Sequence, residues 1–150
     1  MSKGVVGSIL GAAVLLLALL GAGCGGDDEG EALTKAQFLK QGNAICKKSE
    51  EERGKVIAET SAKFSGKEFT LKQQEDLILQ VLPTYENAAT KIEELGAPEG
   101  DEEKVEEIVK AMEEAAVQVK ASPGTALETN VPFKEANELV EKYGLDSCVA

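Results

Sequence analysis

Histidine is absent from all 150 residues. With it go the commonest general base, the serine–histidine–aspartate arrangement and most zinc sites. Tryptophan is missing too, and only four Phe and two Tyr are present. Glu, Ala, Lys and Leu dominate instead, a bias toward helix because unbranched side chains lose little rotamer freedom there. No window keeps the period-two alternation of half-buried strands. No Walker-type loop or dinucleotide fingerprint occurs, and the glycines fall mainly in the first 30 residues and at helix ends. No catalytic, cofactor-binding or metal-ligating set emerges, so a non-enzymatic role is expected.

What is present begins with a tripartite start. Met1-Ser2-Lys3 carries one positive charge, Val5 to Leu20 is apolar, and Gly21-Ala22-Gly23 ends the run directly before Cys24. A charged start, an apolar stretch and a small-residue end are the parts of a secretory signal. Leu20-Gly21-Ala22-Gly23-Cys24 resembles the lipobox of bacterial lipoproteins, an aliphatic residue followed by small residues and Cys. It departs from that pattern at Gly21, where the family places Leu; here the Leu stands one position earlier. The resemblance implies a diacylglyceryl group on the Cys24 sulfur and cleavage after Gly23, with acylation of the new amine as a further step. Two acyl chains hold a protein stably on a bilayer, at about 0.8 kcal/mol per buried methylene, whereas one chain binds reversibly. The rival reading is an uncleaved membrane-spanning anchor over Gly4–Gly23, long enough to span. Its glycines and the abrupt change at Cys24 argue against it.

Three segments are therefore expected: a signal over residues 1–23, an acylated Cys24 with an acidic tether over 24–32, and a helical domain over 33–150. Gly25-Gly26-Asp27-Asp28-Glu29-Gly30-Glu31 has no apolar residue and reads as a charge-extended linker. Without the signal, 15 basic residues face 27 acidic ones, a formal charge of about −12. Such a surface repels phosphate backbones, so nucleic acid is not an expected partner. The expected location is the extracytoplasmic face of the cell membrane, held there by the lipid.

Four helices follow from the apolar spacing. The first opens at Thr34, which with Gln37 forms a capping box, and runs to about Phe64 behind a thin stripe of Phe38, Ile45, Val56 and Phe64. Thr70 with Gln73 repeats the box and starts the second. Its stripe runs from Leu71 through Ile78, Leu82, Tyr85, Ala89 and Ile92 to Leu95. Pro83 lies inside it and predicts a kink, which could expose a carbonyl beside Thr84, Glu86 and Asn87 as a small ligand site. Asp101 reads as the N-cap of the third, which buries Val105, Ile108, Met112, Ala116 and Val119 and stops before Ser122-Pro123-Gly124. The fourth spans about Pro132 to Tyr143 and ends on Gly144. The fold class is all-α, a small antiparallel bundle. Glu102–Glu106 and Glu103–Glu107 are carboxylate pairs one turn apart, read as a solvated acidic face partly balanced by Lys104 and Lys110.

With Cys24 given to lipid, Cys46 and Cys148 remain. An even remainder in an oxidising compartment points to a disulfide tying the tail to the first helix. Closing a loop of about 100 residues is worth about 4.7 kcal/mol in the chain-entropy model. A redox-active pair is the alternative, without the Cys-x-x-Cys spacing that usually accompanies it. Ala44-Ile45-Cys46, Leu95-Gly96-Ala97-Pro98 and Tyr143-Gly144-Leu145 ahead of Cys148 resemble a group of small two-cysteine actinobacterial lipoproteins. That group has no assigned activity, so the resemblance implies none. Three functions remain open: an interaction or ligand-binding module with unspecified partner, a passive structural lipoprotein of the envelope, and a carboxylate-based hydrolase.

Overall fold

The structure, a computed structural model, describes residues 32–64 and 68–150. The signal, Cys24 and its acylation, and all but the end of the acidic tether lie outside the described residues.

Two threonines set where the long helices begin. The Thr34 hydroxyl accepts the Gln37 N–H at 3.3 Å while the Gln37 side chain accepts the Thr34 N–H at 2.9 Å. Thr70 and Gln73 repeat the exchange at 3.3 and 2.8 Å. Each pair satisfies donors that a helix start leaves orphaned, and α1 (Lys35–Lys63) and α2 (Leu71–Glu94) follow directly. α3 (Glu102–Ala121), α4 (Pro123–Glu128) and α5 (Lys134–Tyr143) complete an all-α bundle, with single 3₁₀ turns at Val131–Phe133 and Asp146–Cys148. No strand occurs among the described residues.

α3 stops at Ala121, before Ser122-Pro123-Gly124 as expected, but a short α4 that the apolar spacing did not announce opens there, with Pro123 in its first turn, where a missing N–H is no loss. Two expectations need correction. Leu71, placed on the buried stripe, lies in the first turn of α2 and is 60% exposed. Asp101 stands at the N-cap position of α3, but its side chain accepts no backbone N–H of the first turn. α2 continues through Pro83 as one helix, with the ring on its exposed side.

α3 is the central element. It packs against α2 on one side and α5 on the other, and Ile108, Met112 and Val119 are fully buried between them. Phe38, Ile92, Val140 and Leu145 close the core. Burying each such side chain contributes about 1.5–3 kcal/mol, so this layer supplies most of the driving force for assembly.

The tail returns to α1 through a left-handed turn. Gly144 has φ of 102°, and the N–H groups of Gly144 and Leu145 both donate to the Val140 carbonyl, at 3.0 and 2.8 Å. Leu145 thereby drops against Gly42, where a Cβ would meet its Cδ2 at 2.5 Å; only glycine admits it. The Asn43 amide holds the strap from α1, donating to the Gly144 carbonyl and accepting the Ser147 N–H. Cys46 and Cys148 then form the expected disulfide, with Cα atoms 4.9 Å apart. Gly144→Ala puts a side chain into the left-handed region and against Leu39, so it should lose about 1–2 kcal/mol in urea unfolding. An unchanged midpoint would mean the turn is not needed to seat Leu145.

Candidate functional site

Four hollows were compared by what their walls hold. The largest, ≈ 470 Å³, is a shallow acidic groove between α2 and α3 bordered by Glu93, Glu102, Glu106 and Glu113. Among the described residues no group of three or more His, Cys, Asp or Glu converges as a metal site. Glu102, Glu103, Glu106 and Glu107 all remain exposed, as the solvated-face reading requires. The two lysines assigned to balance them are engaged elsewhere: Lys104 with Asp101 and Lys110 with Glu114. A groove of ≈ 220 Å³ along α1 and α2 borders the segment after Pro83. There the Ser49 hydroxyl donates to the Thr84 carbonyl at 2.6 Å and the Thr84 hydroxyl to Val81 at 2.7 Å. The Thr84 carbonyl and hydroxyl are thus partnered within the protein, and Glu86 pairs with Lys120.

A third hollow, ≈ 220 Å³, opens beside Tyr143, floored by Ile108 and Leu139 and rimmed by Lys35, Lys104 and Lys142. Two of the three lysines are already engaged. Asp101, nearly buried, accepts Lys104, the Lys35 ammonium at 3.2 Å and the Tyr143 hydroxyl at 3.0 Å. Lys35 also stands 4.3 Å above the Tyr143 ring. The Lys104 hydrogen bond, aided by those of Lys35 and Tyr143, holds the Asp101 carboxyl down at about 2. Burial and the Asp101 carboxylate push the Tyr143 hydroxyl above its usual range, so it stays a donor. Asp101 joins α1, α3 and α5 through one carboxylate: a structural hub.

The sign of its acid dependence follows. A carboxyl whose folded pKa is depressed stabilises the fold fully above its unfolded value, near 4, and ceases to as pH falls toward 2. Asp101→Asn should therefore have a lower Tm than the wild type at pH 6, with the gap closing between pH 4 and 2. A constant gap across that range would show the ion pairs to be idle.

The fourth hollow differs in kind. It has a volume of ≈ 160 Å³ and lies between α1, α2 and the Val131–Phe133 turn, walled by Ile78, Val81, Leu82 and Phe133. Tyr85, Arg53, Ala126 and Ala150 complete it, and it stands half open to solvent. Tyr85 packs edge-on to Phe133, with ring centroids 5.3 Å apart and planes at 79°. It is only 7% exposed, and its hydroxyl is the one buried side-chain polar atom without a hydrogen-bond partner among the described residues. Burial pushes its pKa well up, against a smaller opposing pull from Arg53, so the group is a protonated donor at neutral pH. Arg53 is the only arginine in the chain. Among the described residues it makes no salt bridge, although acidic residues greatly outnumber basic ones. A largely apolar hollow with a guanidinium at its border has the make-up of a small-molecule site, although the Tyr85 hydroxyl itself is enclosed by protein.

No family model, curated protein or solved structure matches the chain. Inference about the site therefore rests on its own residues.

Cys46 and Cys148 come together as expected, and their disulfide secures the α1 segment one to two turns before Arg53. The sequence placed Tyr85 on the buried stripe of α2 and within the candidate ligand segment Pro83-Thr84-Tyr85-Glu86-Asn87, but gave Arg53 no role. The available signal was its singularity: one arginine among fifteen lysines.

Proposed function

We propose that this chain is a lipid-anchored extracytoplasmic binding protein whose helical domain holds a small molecule without transforming it. The carrying observation is the half-open, largely apolar hollow between α1, α2 and Phe133, bordered by Arg53, which makes no salt bridge among the described residues. The lipobox-like segment ending at Cys24 supports the anchor, and the Cys46–Cys148 disulfide accords with an oxidising compartment. Among the described residues no helix is long and apolar enough to cross a membrane.

Two measurements test this. Palmitate labelling in a lipoprotein-processing bacterium should mark the wild type and spare Cys24→Ser. Thermal shift of the full chain against small acids, amines and neutral solutes should raise Tm for some of them, and Val81→Trp, which fills the cavity, should abolish the shift. Stability indifferent to every solute, with envelope leakage on deletion of the gene, would favour the passive structural reading instead.

A further inference from the structure

We infer that the outward side of α1 is a docking face for an anionic bilayer, laid along the headgroups near the point of attachment. The inference rests on the anchored reading above and adds the surface by which the domain meets its membrane.

The negative charge of the chain is unevenly shared. α1 carries 7 basic residues against 4 acidic ones, whereas the rest of the chain holds 9 basic and 23 acidic. Outside α1, Lys72, Lys104, Lys110, Lys120 and Lys134 each pair with a carboxylate. On α1 only Lys35 does so among the described residues, with Asp101. Lys40, Lys47, Lys48, Lys55 and Lys63 are exposed and form no salt bridge.

Helical spacing gathers these cations. α1 buries Phe38, Gly42, Cys46 and Thr60, and at about 100° per residue Lys40, Lys47, Lys48 and Lys55 fall on the opposite side. Glu51 and Glu59 share that side, so four positive charges outnumber two negative ones. All four lysines are exposed, so no other helix covers them. At the far end Phe64 packs on Phe69, with ring centroids 4.7 Å apart, and Leu71 is 60% exposed. Lysines beside apolar side chains suit the interfacial zone of a bilayer.

Distance decides which charges a bilayer feels. α3, with six glutamates, packs on α2 and α5, while α1 packs on α2 and the Asp146–Cys148 turn. The two helices therefore stand diagonally in the bundle. The Debye length is about 8 Å at physiological salt, less than one helix diameter of about 10 Å. Repulsion from α3 is thus screened where the α1 lysines meet headgroups. α1 also opens only eleven residues after Cys24, a length of chain that reaches at most about 40 Å. An anchor at Cys24 holds a bilayer, rather than any one protein, within that distance, so a weak attraction acts at high effective concentration.

The test uses the acylated protein on phosphatidylcholine vesicles with or without phosphatidylglycerol. Brief lysine acetylation, read by mass spectrometry, reports which side is covered. Lys40, Lys47, Lys55 and Lys63 should react at least about fivefold more slowly on the anionic vesicles, and Lys110 and Lys134 equally on both. The difference should vanish in about 1 M salt, where the Debye length falls to about 3 Å. Reversing Lys40, Lys47, Lys48 and Lys55 together to Glu should return Lys63 to its rate on neutral vesicles. Lys110→Glu with Lys134→Glu should leave the protection of α1 intact; circular dichroism checks the fold of each variant. Equal rates on both vesicles, with the protein floating alongside them, would overturn the docking face and leave the anchor. Lysines of α1 slowed equally on neutral vesicles and in detergent would mean that a second copy covers them, which overturns it as well. Protein that floats with neither vesicle would remove anchor and docking together.

Discussion

Replacing Cys46 and Cys148 together by alanine should lower Tm by on the order of 10 °C, the largest effect expected of any change that leaves the core volume nearly intact. The bond joins residues 102 apart in sequence, so the reduced chain regains nearly the whole loop-closure entropy. The chain-entropy value for such a loop, about 4.7 kcal/mol, is an upper figure because the tail has other holds. Asn43 grips it from α1 and Leu145 is fully buried, so part of the strap stays down without the sulfurs. Amide exchange should reveal the order of events: protection at Leu145 and Cys148, whose N–H groups bond to Val140 and Leu145, should fall before protection in α3. A Tm shift below about 3 °C would mean that Asn43 and Leu145 alone fix the tail.

Phe38→Ala should destabilise the domain by about 3–5 kcal/mol, read as a lower urea midpoint at unchanged slope. Phe38 has no exposed surface, and its ring meets Tyr143 edge-on at 5.9 Å and 86°. Removing it opens a void where α1 meets α5 and withdraws the support that aims the Tyr143 hydroxyl at Asp101. Phe38→Leu keeps most of the volume and should lose less than half as much. A loss under about 1.5 kcal/mol for the alanine variant would show that α1 collapses into the gap and that the Asp101 hub holds without the ring.

Much of this architecture was legible because its signals are local. Each capping box lies within four residues, and Gly144 announces its left-handed turn by composition alone. The α3 stripe reads correctly because that helix is buried along its length. The failures have a shared cause. Asp101 stands directly before Glu102 and Glu103, the local pattern of an N-cap, but the Lys104 side chain from the first turn and Lys35 and Tyr143 from distant parts of the chain take its carboxylate instead of the backbone N–H groups. The break at Ser122-Pro123-Gly124 ends α3 as read, but α4 behind it stayed hidden because breaker residues and a helix's first turn share the same composition. The site was least legible of all. Arg53 and Tyr85 sit on different helices, and their shared wall exists only once Phe133 has folded across it.

Asn43 touches the C-terminal strap only through main-chain atoms, the Gly144 carbonyl and the Ser147 N–H. Recognition of that kind is blind to side-chain identity. The outward groups at Asp146 and Ser147 can therefore change sign, size or polarity while the strap keeps its course. Descendants of this chain could recolour the rim near Arg53 without disturbing the fold beneath, and new ligand preferences could arise from substitutions that thermal denaturation would never register.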